Sequence, residues 1–342
     1  MLGKLLTALA LMTASPVVAE PLIIAHRGAS GERPEHTRMA YDLAIDQGAD
    51  VIEPDLVMSR DGVLVVRHEN EIGETTDVGD RPEFADRHTT RTIDGREVTG
   101  WFTEDFTLAE LKTLRARERL PQLRPANTAY DGQEPILTFE EVIAIARAGS
   151  ERAGRTIGIA PELKHPTYFA SRGLPMETAL VVVLQAHGLT GADAGVFVQC
   201  FEVGTLQVLN GMIETPLMQL IDASGGPADL PDQTYAAMIT PDGLLAIREY
   251  ADWVGVNTRL IEPRPGAPTM LINDAHAARL KVAAWTFRAE NAFLEETERV
   301  GEDPASHGRM DEMVERFLWL GVDGVFADQP ATAVEAARVM RQ

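Results

Sequence analysis

The 342-residue sequence predicts an α/β protein whose architecture is a (β/α)8 barrel. Eight short apolar runs rich in β-branched residues alternate with eight segments whose apolar residues have helical spacing. No Gly-x-Gly-x-x-Gly motif follows the first run, so the commonest mark of an open doubly wound sheet is missing. An open sheet is the structural alternative, but the repeat of eight units favours the barrel.

The repeat extends from residue 22 almost to the C-terminus. The predicted strands cover residues 22–25, 51–56, 156–162, 196–201, 216–221, 253–256, 281–285 and 324–327. The predicted helices that follow them cover residues 37–47, 139–148, 176–187, 203–210, 243–250, 269–279, 310–320 and 331–340. The strands are short and mostly apolar, as expected of parallel strands that are covered on both faces.

Residues 64–68 form a further β-like run that begins soon after the second predicted strand. A parallel crossover needs about a dozen residues or more, which leaves no room for one here. The intervening stretch ends in Asp61-Gly62, which is typical of a tight turn. We therefore expect an antiparallel hairpin that returns His68 to the carboxyl end of the second strand, opposite Glu53 to within one residue.

The longest stretch outside the repeat covers residues 69–135, between this hairpin and the next predicted helix. It is rich in charged residues, Thr, Gly and Pro, and its apolar residues follow no clear period. This composition predicts an irregular insertion over one rim of the barrel.

Residues 1–19 have the pattern of an export signal. Lys4 precedes the apolar run 5–12, and small residues stand at the expected cleavage point after Ala19. We expect a periplasmic or secreted protein in which residues 20–342 form one barrel domain; a buried N-terminal helix is the alternative. The run is shorter than the ~20 residues of a spanning helix, so no stable membrane insertion is expected.

Charge limits the classes of partner. The chain has 31 Lys and Arg against 52 Asp and Glu, a net charge of −21. So acidic a protein repels phosphate-rich polymers, which excludes general nucleic-acid binding but not a small phosphate ligand in a local cationic pocket. Its one cysteine, Cys200, excludes an intrachain disulfide and a cysteine metal cluster, and is expected to be a small core residue.

Candidate functional residues lie at strand ends, where the active sites of barrels are built. His26 and Arg27 end the first strand, and Glu53 and Asp55 end the second. The two carboxylates share one face of the strand because they are two residues apart. They repel each other unless a cation neutralises them, so the pair indicates an oxygen-ligand site for Ca²⁺ or Mg²⁺; two solvated surface acids are the alternative.

The third strand and the hairpin add to this set. Glu162 supplies a third carboxylate, and Lys164 with Arg27 offers positive charge that offsets a phosphate. The hairpin brings His68 to the same mouth as His26. Histidines titrate near pH ~6.5, which suits a pair that works as general acid and base.

Six motifs follow one another along the chain. They are Ala25-His26-Arg27-Gly28, Glu53-x-Asp55, Val65-Val66-x-His68, Glu162-x-Lys164, Trp285-Thr286 and the run GVDGVFADQP at 321–330. In order and spacing the set resembles the glycerophosphodiester phosphodiesterase family. Residues 26–31 with 34–37, residues 76–81 and residues 199–201 are most similar to its periplasmic branch, which releases glycerol 3-phosphate.

The resemblance implies hydrolysis of sn-glycero-3-phosphodiesters, as small-molecule substrates, to sn-glycerol 3-phosphate and an alcohol. It also implies a (β/α)8 barrel with one divalent cation, Ca²⁺ being favoured over Mg²⁺. The implied metal ligands are Glu53, Asp55 and Glu162, and the implied acid–base pair is His26 and His68. Phosphate would be bound by Arg27 and Lys164, and the aromatic residues that line the substrate site would be Phe201 and Trp285. A plain core role for either aromatic stays open. We favour His26 as the base and His68 as the acid, with the reverse assignment open.

Two departures from the family pattern are visible. Many relatives have His-Asp where this chain has His68-Glu69, and the residue between the paired carboxylates is Pro54. His36 and His165 are expected near the site without a chemical role.

Two other functions are compatible with the sequence. A phosphatidylinositol-phospholipase-like or sphingomyelinase-D-like enzyme should have an exposed apolar rim, and residues 69–135 contain no such run. An exported protein that only binds phosphodiesters has no need of two titratable histidines beside the phosphate, so the histidine pair favours an enzyme. No feature of the sequence predicts an oligomeric state.

Overall fold

The strands of the structure follow the apolar runs of the sequence. In this computed structural model, which describes residues 20–339, the strands are β1 (Leu22–His26), β2 (Val51–Glu53), β3 (Asp55–Met58), β4 (Leu64–Val66), β5 (Thr89–Ile93), β6 (Arg96–Gly100), β7 (Gly158–Ile159), β8 (Glu162–Leu163), β9 (Val198–Cys200), β10 (Leu217–Ile221), β11 (Trp253–Asn257), β12 (Lys281–Phe287) and β13 (Gly324–Ala327). The predicted export signal, residues 1–19, lies outside the described residues.

The helices lie between these strands and cover the outside of the sheet. They are α1 (Arg38–Asp46), α2 (Leu108–Leu111), α3 (Phe139–Ala153), α4 (Pro166–Ser171), α5 (Met176–Ala186), α6 (Val203–Asn210), α7 (Tyr235–Met238), α8 (Pro241–Arg248), α9 (Thr258–Ile261), α10 (Leu271–Ala277), α11 (Met310–Leu320) and α12 (Pro330–Val339). No helix in the described part of the chain is long and apolar enough to cross a membrane.

Parallel pairing closes the sheet into a ring. Within residues 20–339, β1 pairs with β2, β2 with β7, β3 with β8, and β8 with β9; pairing then runs in order through β10, β11 and β12 to β13, which pairs with β1. Because β2 and β3 are two parts of one barrel strand, as are β7 and β8, the ring has eight strand positions. The predicted (β/α)8 barrel is therefore confirmed, and the open-sheet alternative is wrong.

Two prolines interrupt neighbouring strands at the same level. Ile52 lies opposite Ile159 and Asp55 lies opposite Glu162, so the register is the same on both sides of the interruption. Pro54 therefore lies opposite Pro161. Because proline has no N–H to donate, the hydrogen-bond ladder is weakened there in both strands. Each barrel strand therefore consists of two short segments.

The hairpin excursion after the second barrel strand has the predicted antiparallel form. Met58 pairs with Leu64 and Leu56 with Val66. The Arg67 N–H donates to the Asp55 carbonyl at 3.0 Å, which continues the pairing and brings His68 opposite Pro54. The register thus differs from the predicted one by a single residue.

Local sequence explains where the long helix α3 begins and ends. Thr138 accepts a hydrogen bond from the Glu141 N–H, and the Glu141 side chain accepts one from the Thr138 N–H, which forms a capping box. The helix ends at Gly154, whose left-handed backbone (φ 65°) is inexpensive for glycine. Its apolar face packs in the layer between helices and strands, which is the larger part of the core.

A smaller apolar cluster fills the inside of the barrel. Ile24, Val51, Met218, Trp253 and Phe326 are buried there, so the lower part of the barrel is a packed core. The functional side chains therefore lie above it, at the carboxyl ends of the strands.

The insertion at 69–135 is mostly irregular but contains one two-stranded hairpin. Strands β5 and β6 pair antiparallel, with Ile93 opposite Arg96 across a turn formed by Asp94 and Gly95. This hairpin stands at the rim of the barrel. Two other parts of the insertion bring Arg119 and Arg124 to the mouth, where they contact Glu35, Asp328 and Glu290.

Candidate active site

Side chains from several strand ends converge on a cavity of about 220 Å³ at the mouth of the barrel. Eight of the nine predicted site residues line it, namely His26, Arg27, Glu53, His68, Glu162, Lys164, Phe201 and Trp285. The ninth, Asp55, is buried beside them and contacts Arg27 at 3.2 Å. The structure thus brings the whole predicted set together.

The three carboxylates of Glu53, Asp55 and Glu162 form a compact buried cluster. Each offers an oxygen, and these atoms all lie within 4.8 Å of one another. The side-chain amide of Gln199 donates to Glu53 Oε1 at 3.1 Å, and the backbone N–H of Arg27 donates to Glu53 Oε2 at 2.9 Å. Orientation of the cluster is therefore fixed by the protein, and its donor set is the one that a hard divalent cation prefers.

The charges within this cluster are unequal. Burial, together with the carboxylates of Asp55 and Glu162, holds the pKa of Glu53 well above its usual value. Burial raises the pKa of Glu162 to about 7, although Lys164 opposes the shift. Burial also opposes ionisation of Asp55, yet the neighbouring His68 and Arg27 hold its pKa well below the usual value. A divalent cation would neutralise the repulsion that raises the pKa values of Glu53 and Glu162, so the cluster fits a metal ion.

A tight turn after β1 determines where Arg27 points. Arg27 and Gly28 both have left-handed backbones, with φ of 61° and 83°. A Cβ on Gly28 would lie 2.7 Å from the Ala40 carbonyl carbon, so only glycine fits. The turn directs the Arg27 guanidinium to Glu35 at 3.0 Å as well as to Asp55.

His26 is held by a buried carboxylate. Its Nδ1 lies 2.6 Å from Asp328 Oδ1, and the other oxygen of Asp328 accepts hydrogen bonds from Arg124 at 2.5 Å and Arg288 at 3.1 Å. This arrangement leaves Nε2 of His26 for the cavity. Burial and Arg27 lower the pKa of His26 to about 4, although Asp328 opposes the shift.

His68 likewise has its Nδ1 beside a carboxylate, that of Glu69. Its Nδ1 lies 2.9 Å from Glu69 Oε1, and its Nε2 lies 3.4 Å from the Lys164 ammonium. Burial, with Arg27 and Lys164, lowers the pKa of His68 to about 3. Both imidazoles are therefore neutral near pH 7, each with Nδ1 on a carboxylate.

Four cations line the cavity of this otherwise acidic protein. Besides the predicted Arg27 and Lys164, the structure adds Arg119 and Arg288. Lys164 pairs with Glu162 at 2.8 Å and Arg119 with Glu35 at 2.9 Å. Sequence reasoning missed Arg119 because it lies in the aperiodic insertion; Arg288 follows closely on the Trp285 motif, and its position after a strand end was the available signal.

The two predicted aromatic side chains meet on one wall. Phe201 and Trp285 pack edge to face with ring centroids 5.7 Å apart. The Trp285 indole N–H donates to the Gly255 carbonyl at 2.8 Å, which fixes the ring. Both rings border the cavity and also pack against the apolar cluster inside the barrel. Each therefore lines the site and belongs to the core.

His36 has closer ties to the site than the sequence indicated. It is fully buried, its Nε2 lies 2.9 Å from Asp55 Oδ2, and its Nδ1 lies 2.8 Å from the Tyr41 hydroxyl. Gln199 and Asp328 likewise contact predicted site residues, although no role was predicted for either. A polar residue within an otherwise apolar strand was the signal for Gln199.

Comparison with known proteins agrees with these features. The sequence profile of the Glycerophosphoryl diester phosphodiesterase family matches residues 26–332. A glycerophosphodiester phosphodiesterase of Arabidopsis thaliana is 37% identical over 329 residues, which cover 91% of this chain and 84% of that protein. A glycerophosphodiester phosphodiesterase of Haemophilus influenzae is 29% identical over 355 residues, with 95% and 92% covered.

Solved structures share the fold at lower identity. A phosphodiesterase of Oleispira antarctica, solved in complex with the product sn-glycerol-3-phosphate, has a TM-score of 0.62 and 21% identity, with 93% of this chain and 97% of that chain covered. A glycerophosphodiester phosphodiesterase of Agrobacterium tumefaciens has a TM-score of 0.58 and 20% identity, with 92% and 99% covered. Given the extent of the profile match and the identity to the Arabidopsis relative, the chain belongs to the glycerophosphoryl diester phosphodiesterase family.

Proposed function

We propose that this protein hydrolyses sn-glycero-3-phosphodiesters to sn-glycerol 3-phosphate and an alcohol in the cavity at the barrel mouth. One observation carries the proposal: two imidazoles, each with Nδ1 on a carboxylate, line the same cavity as four cations and a buried carboxylate cluster. The names of the relatives and the product in the Oleispira complex agree with this chemistry. Incubation with glycerophosphocholine and Ca²⁺, followed by assay of glycerol 3-phosphate, tests it.

Arg27 and Lys164 are the proposed phosphate-binding groups. Each already lies between a carboxylate and the cavity, paired with Glu35 or Glu162 at 3.0 and 2.8 Å. A phosphodiester that enters the cavity adds charge-assisted hydrogen bonds to these cations. Arg119 and Arg288 supply further positive charge at the same cavity.

The buried carboxylate cluster fits a divalent cation, and we propose Ca²⁺. Glu53, Asp55 and Glu162 would hold it through oxygen atoms, and Ca²⁺ accepts carboxylate ligands in flexible geometry. The chemistry that such a cation supplies is Lewis-acid polarisation of the phosphoryl oxygens. Gln199 and the Arg27 N–H hold Glu53 in the orientation that this binding requires.

We assign the base to His26 and the acid to His68. Nε2 of His26 takes the proton of the attacking hydroxyl as the oxygen of that hydroxyl bonds to phosphorus, and the buried Asp328 carboxylate stabilises the imidazolium that forms. As the bond from phosphorus to the alcohol oxygen breaks, His68 donates a proton from Nε2 to the departing alkoxide. The negative charge of the bound diester favours the protonated form of His68 that this step needs.

A second cavity supports this division of roles. It measures about 620 Å³ and shares Glu162, Lys164 and Phe201 with the first, and Glu69 also lines it. Because Glu69 lines this larger cavity and contacts His68 Nδ1, the cavity lies on the side of His68. We therefore assign it to the alcohol half of the substrate, which leaves on that side. The smaller cavity would then receive the glycerol phosphate half.

The difference in size predicts broad tolerance for the alcohol and strict selection of glycerol phosphate. We expect glycerophosphocholine, glycerophosphoethanolamine and glycerophosphoglycerol to differ by no more than about tenfold in kcat/KM, which is ~1.4 kcal/mol of transition-state binding. Bis(p-nitrophenyl) phosphate, which has no glycerol, should be a poor substrate. If intact phospholipid is cleaved faster than the deacylated diester, the lipase-like alternative is correct instead. If the protein binds diesters but cleaves none of them, the result supports the alternative of a binding protein.

We also propose that the protein is exported to the periplasm or beyond. The proposal rests on the signal pattern of residues 1–19, with cleavage after Ala19. Expression of the full chain in a bacterial host should give a mature protein that begins at Glu20 outside the cytoplasm, as measured by fractionation and intact mass. A chain started at residue 20 is the control and should stay in the cytoplasm. Full-length protein that retains residues 1–19 in the cytoplasmic fraction would contradict export.

A further inference from the structure

A chain of close polar contacts links His68 to the rim hairpin. Oε1 of Glu69 lies 2.9 Å from His68 Nδ1, and Oε2 of Glu69 accepts a hydrogen bond from His165 Nε2 at 3.1 Å. The other ring nitrogen of His165, Nδ1, lies 2.6 Å from Asp94 Oδ2. Asp94 stands in the turn between β5 and β6. The rim insertion is thereby connected to an imidazole of the active site through two intervening side chains.

His165 carries a proton on both ring nitrogens in this arrangement. Each nitrogen faces a carboxylate oxygen, and only the imidazolium can donate to both. Burial opposes protonation of His165, but its hydrogen bonds to Asp94 and Glu69 raise its pKa to about 9. His165 also has a left-handed backbone (φ 52°), a conformation uncommon for residues other than glycine, as it enters α4. With this backbone conformation, the His165 ring lies between the carboxylates of Asp94 and Glu69 and does not point to solvent.

Glu69 needs such a partner because it is otherwise poorly held. Half of its side chain is exposed, whereas Asp328, the corresponding partner of His26, is buried and held by two arginines. Among the described residues, the Glu69 carboxylate contacts the imidazoles of His68 and His165. Without His165, the Glu69 carboxylate would be free to rotate away from His68 Nδ1.

We propose that His165 and Asp94 are positioning residues, which hold Glu69 so that His68 delivers its proton to the leaving alkoxide. This inference rests on the proposed function and extends it to two residues of the rim. It assigns the β5–β6 hairpin a part in catalysis without contact to the substrate. His165 and Asp94 act only through Glu69.

The leaving group distinguishes this role from a merely structural one. Choline is a poor leaving group that needs a proton, whereas p-nitrophenolate does not. His165→Gln should therefore lower kcat for glycerophosphocholine by ~10- to 100-fold, within the ~10²–10⁴-fold range of general acid catalysis, and lower kcat for glycerophospho-p-nitrophenol by less than ~3-fold. KM should be little changed. Asp94→Asn should act in the same direction with a smaller effect.

Two controls test the route through Glu69. In a Glu69→Gln background, His165→Gln should add little further loss, because the residue through which it acts is already altered. His276→Gln disrupts a His–Asp pair of similar length, 2.9 Å, at the amino end of β13, away from the site, and should leave both substrates unaffected. Thermal unfolding of each variant shows whether it is folded.

A second readout does not depend on turnover. The ¹⁵N chemical shifts of His68 should report a single Nδ1–H tautomer in the wild-type protein and a mixture in His165→Gln. Equal losses on both substrates, no loss on either, additive effects with Glu69→Gln, or an unchanged His68 tautomer would each overturn the inference. A wild-type protein that cleaves neither diester yet shows the expected tautomer change would reject the proposed function and retain the positioning of His68.

Discussion

His68→Ala is expected to reduce turnover of glycerophosphocholine by ~10²–10⁴-fold, the usual contribution of a general acid. On glycerophospho-p-nitrophenol the same variant should lose far less, because p-nitrophenolate leaves without a proton. The structure supports this result, since His68 borders the cavity and its partner Glu69 lines the larger space that we assign to the alcohol. Steady-state kcat for both substrates, measured by release of glycerol 3-phosphate, checks it.

His26→Ala should instead be severe on both substrates, because activation of the attacking hydroxyl is needed whichever group leaves. The matched control is His276→Ala, which removes an imidazole that pairs with Asp323 outside the site. If the two active-site variants lose equally on both substrates, the division of roles is wrong. If His26→Ala is the variant rescued by the better leaving group, the acid and base are reversed.

Removal of divalent cations should abolish turnover. Loss of the cation deprives the reaction of several kcal/mol of charge stabilisation, which corresponds to ~10³-fold in rate. Dialysis against a chelator followed by assay with and without added Ca²⁺ measures the effect. Full activity after exhaustive chelation would contradict a metal-dependent mechanism.

Glu53→Gln should lower stability relative to the wild-type protein only when the metal is present. In the metal-free protein the raised pKa of Glu53 already favours its neutral acid form, and glutamine is also neutral, so the melting temperature should be little changed. Added Ca²⁺ at ~100 times its Kd should raise the free energy of unfolding of the wild-type protein by ~2.7 kcal/mol, and should do so far less in the variant. Scanning calorimetry in both conditions gives the comparison.

The control for this experiment is Glu298→Gln. Glu298 is also a buried glutamate, but it pairs with Arg316 away from the cavity. This variant should be destabilised by the loss of its ion pair and should keep the full response to Ca²⁺. An equal Ca²⁺ response in Glu53→Gln and in the wild-type protein would place the metal elsewhere.

The barrel and the predicted site residues could be found from sequence because both depend on local patterns. Short apolar runs mark strands, and residues that immediately follow such runs come together wherever parallel strands form a barrel. Glu53, Asp55 and Glu162 were therefore predicted as neighbours although more than 100 positions separate the second from the third. The hairpin that returns His68 was predictable for a similar reason, since a short turn permits only antiparallel pairing.

Residues that reach the site through tertiary contacts had no such signal. Arg119 and Arg124 come from an insertion without periodicity, and nothing local to them indicates the barrel mouth. His36 was expected nearby, but its hydrogen bond to Asp55 depends on how the loop after β1 folds back. The network of Glu69, His165 and Asp94 joins three distant parts of the chain, so only the folded structure shows it.

The paired interruptions at Pro54 and Pro161 have a consequence for the evolution of this barrel. Below them, β2 pairs with β1 and β7; above them, β3 pairs with β8, which continues the ring to β9, and with β4 of the excursion, which lies outside the ring. Changes of length between β3 and β4 can therefore be absorbed outside the ring, without shifting the register of its strands. The barrel mouth can thus acquire new rim segments while the pairing of the barrel strands stays the same.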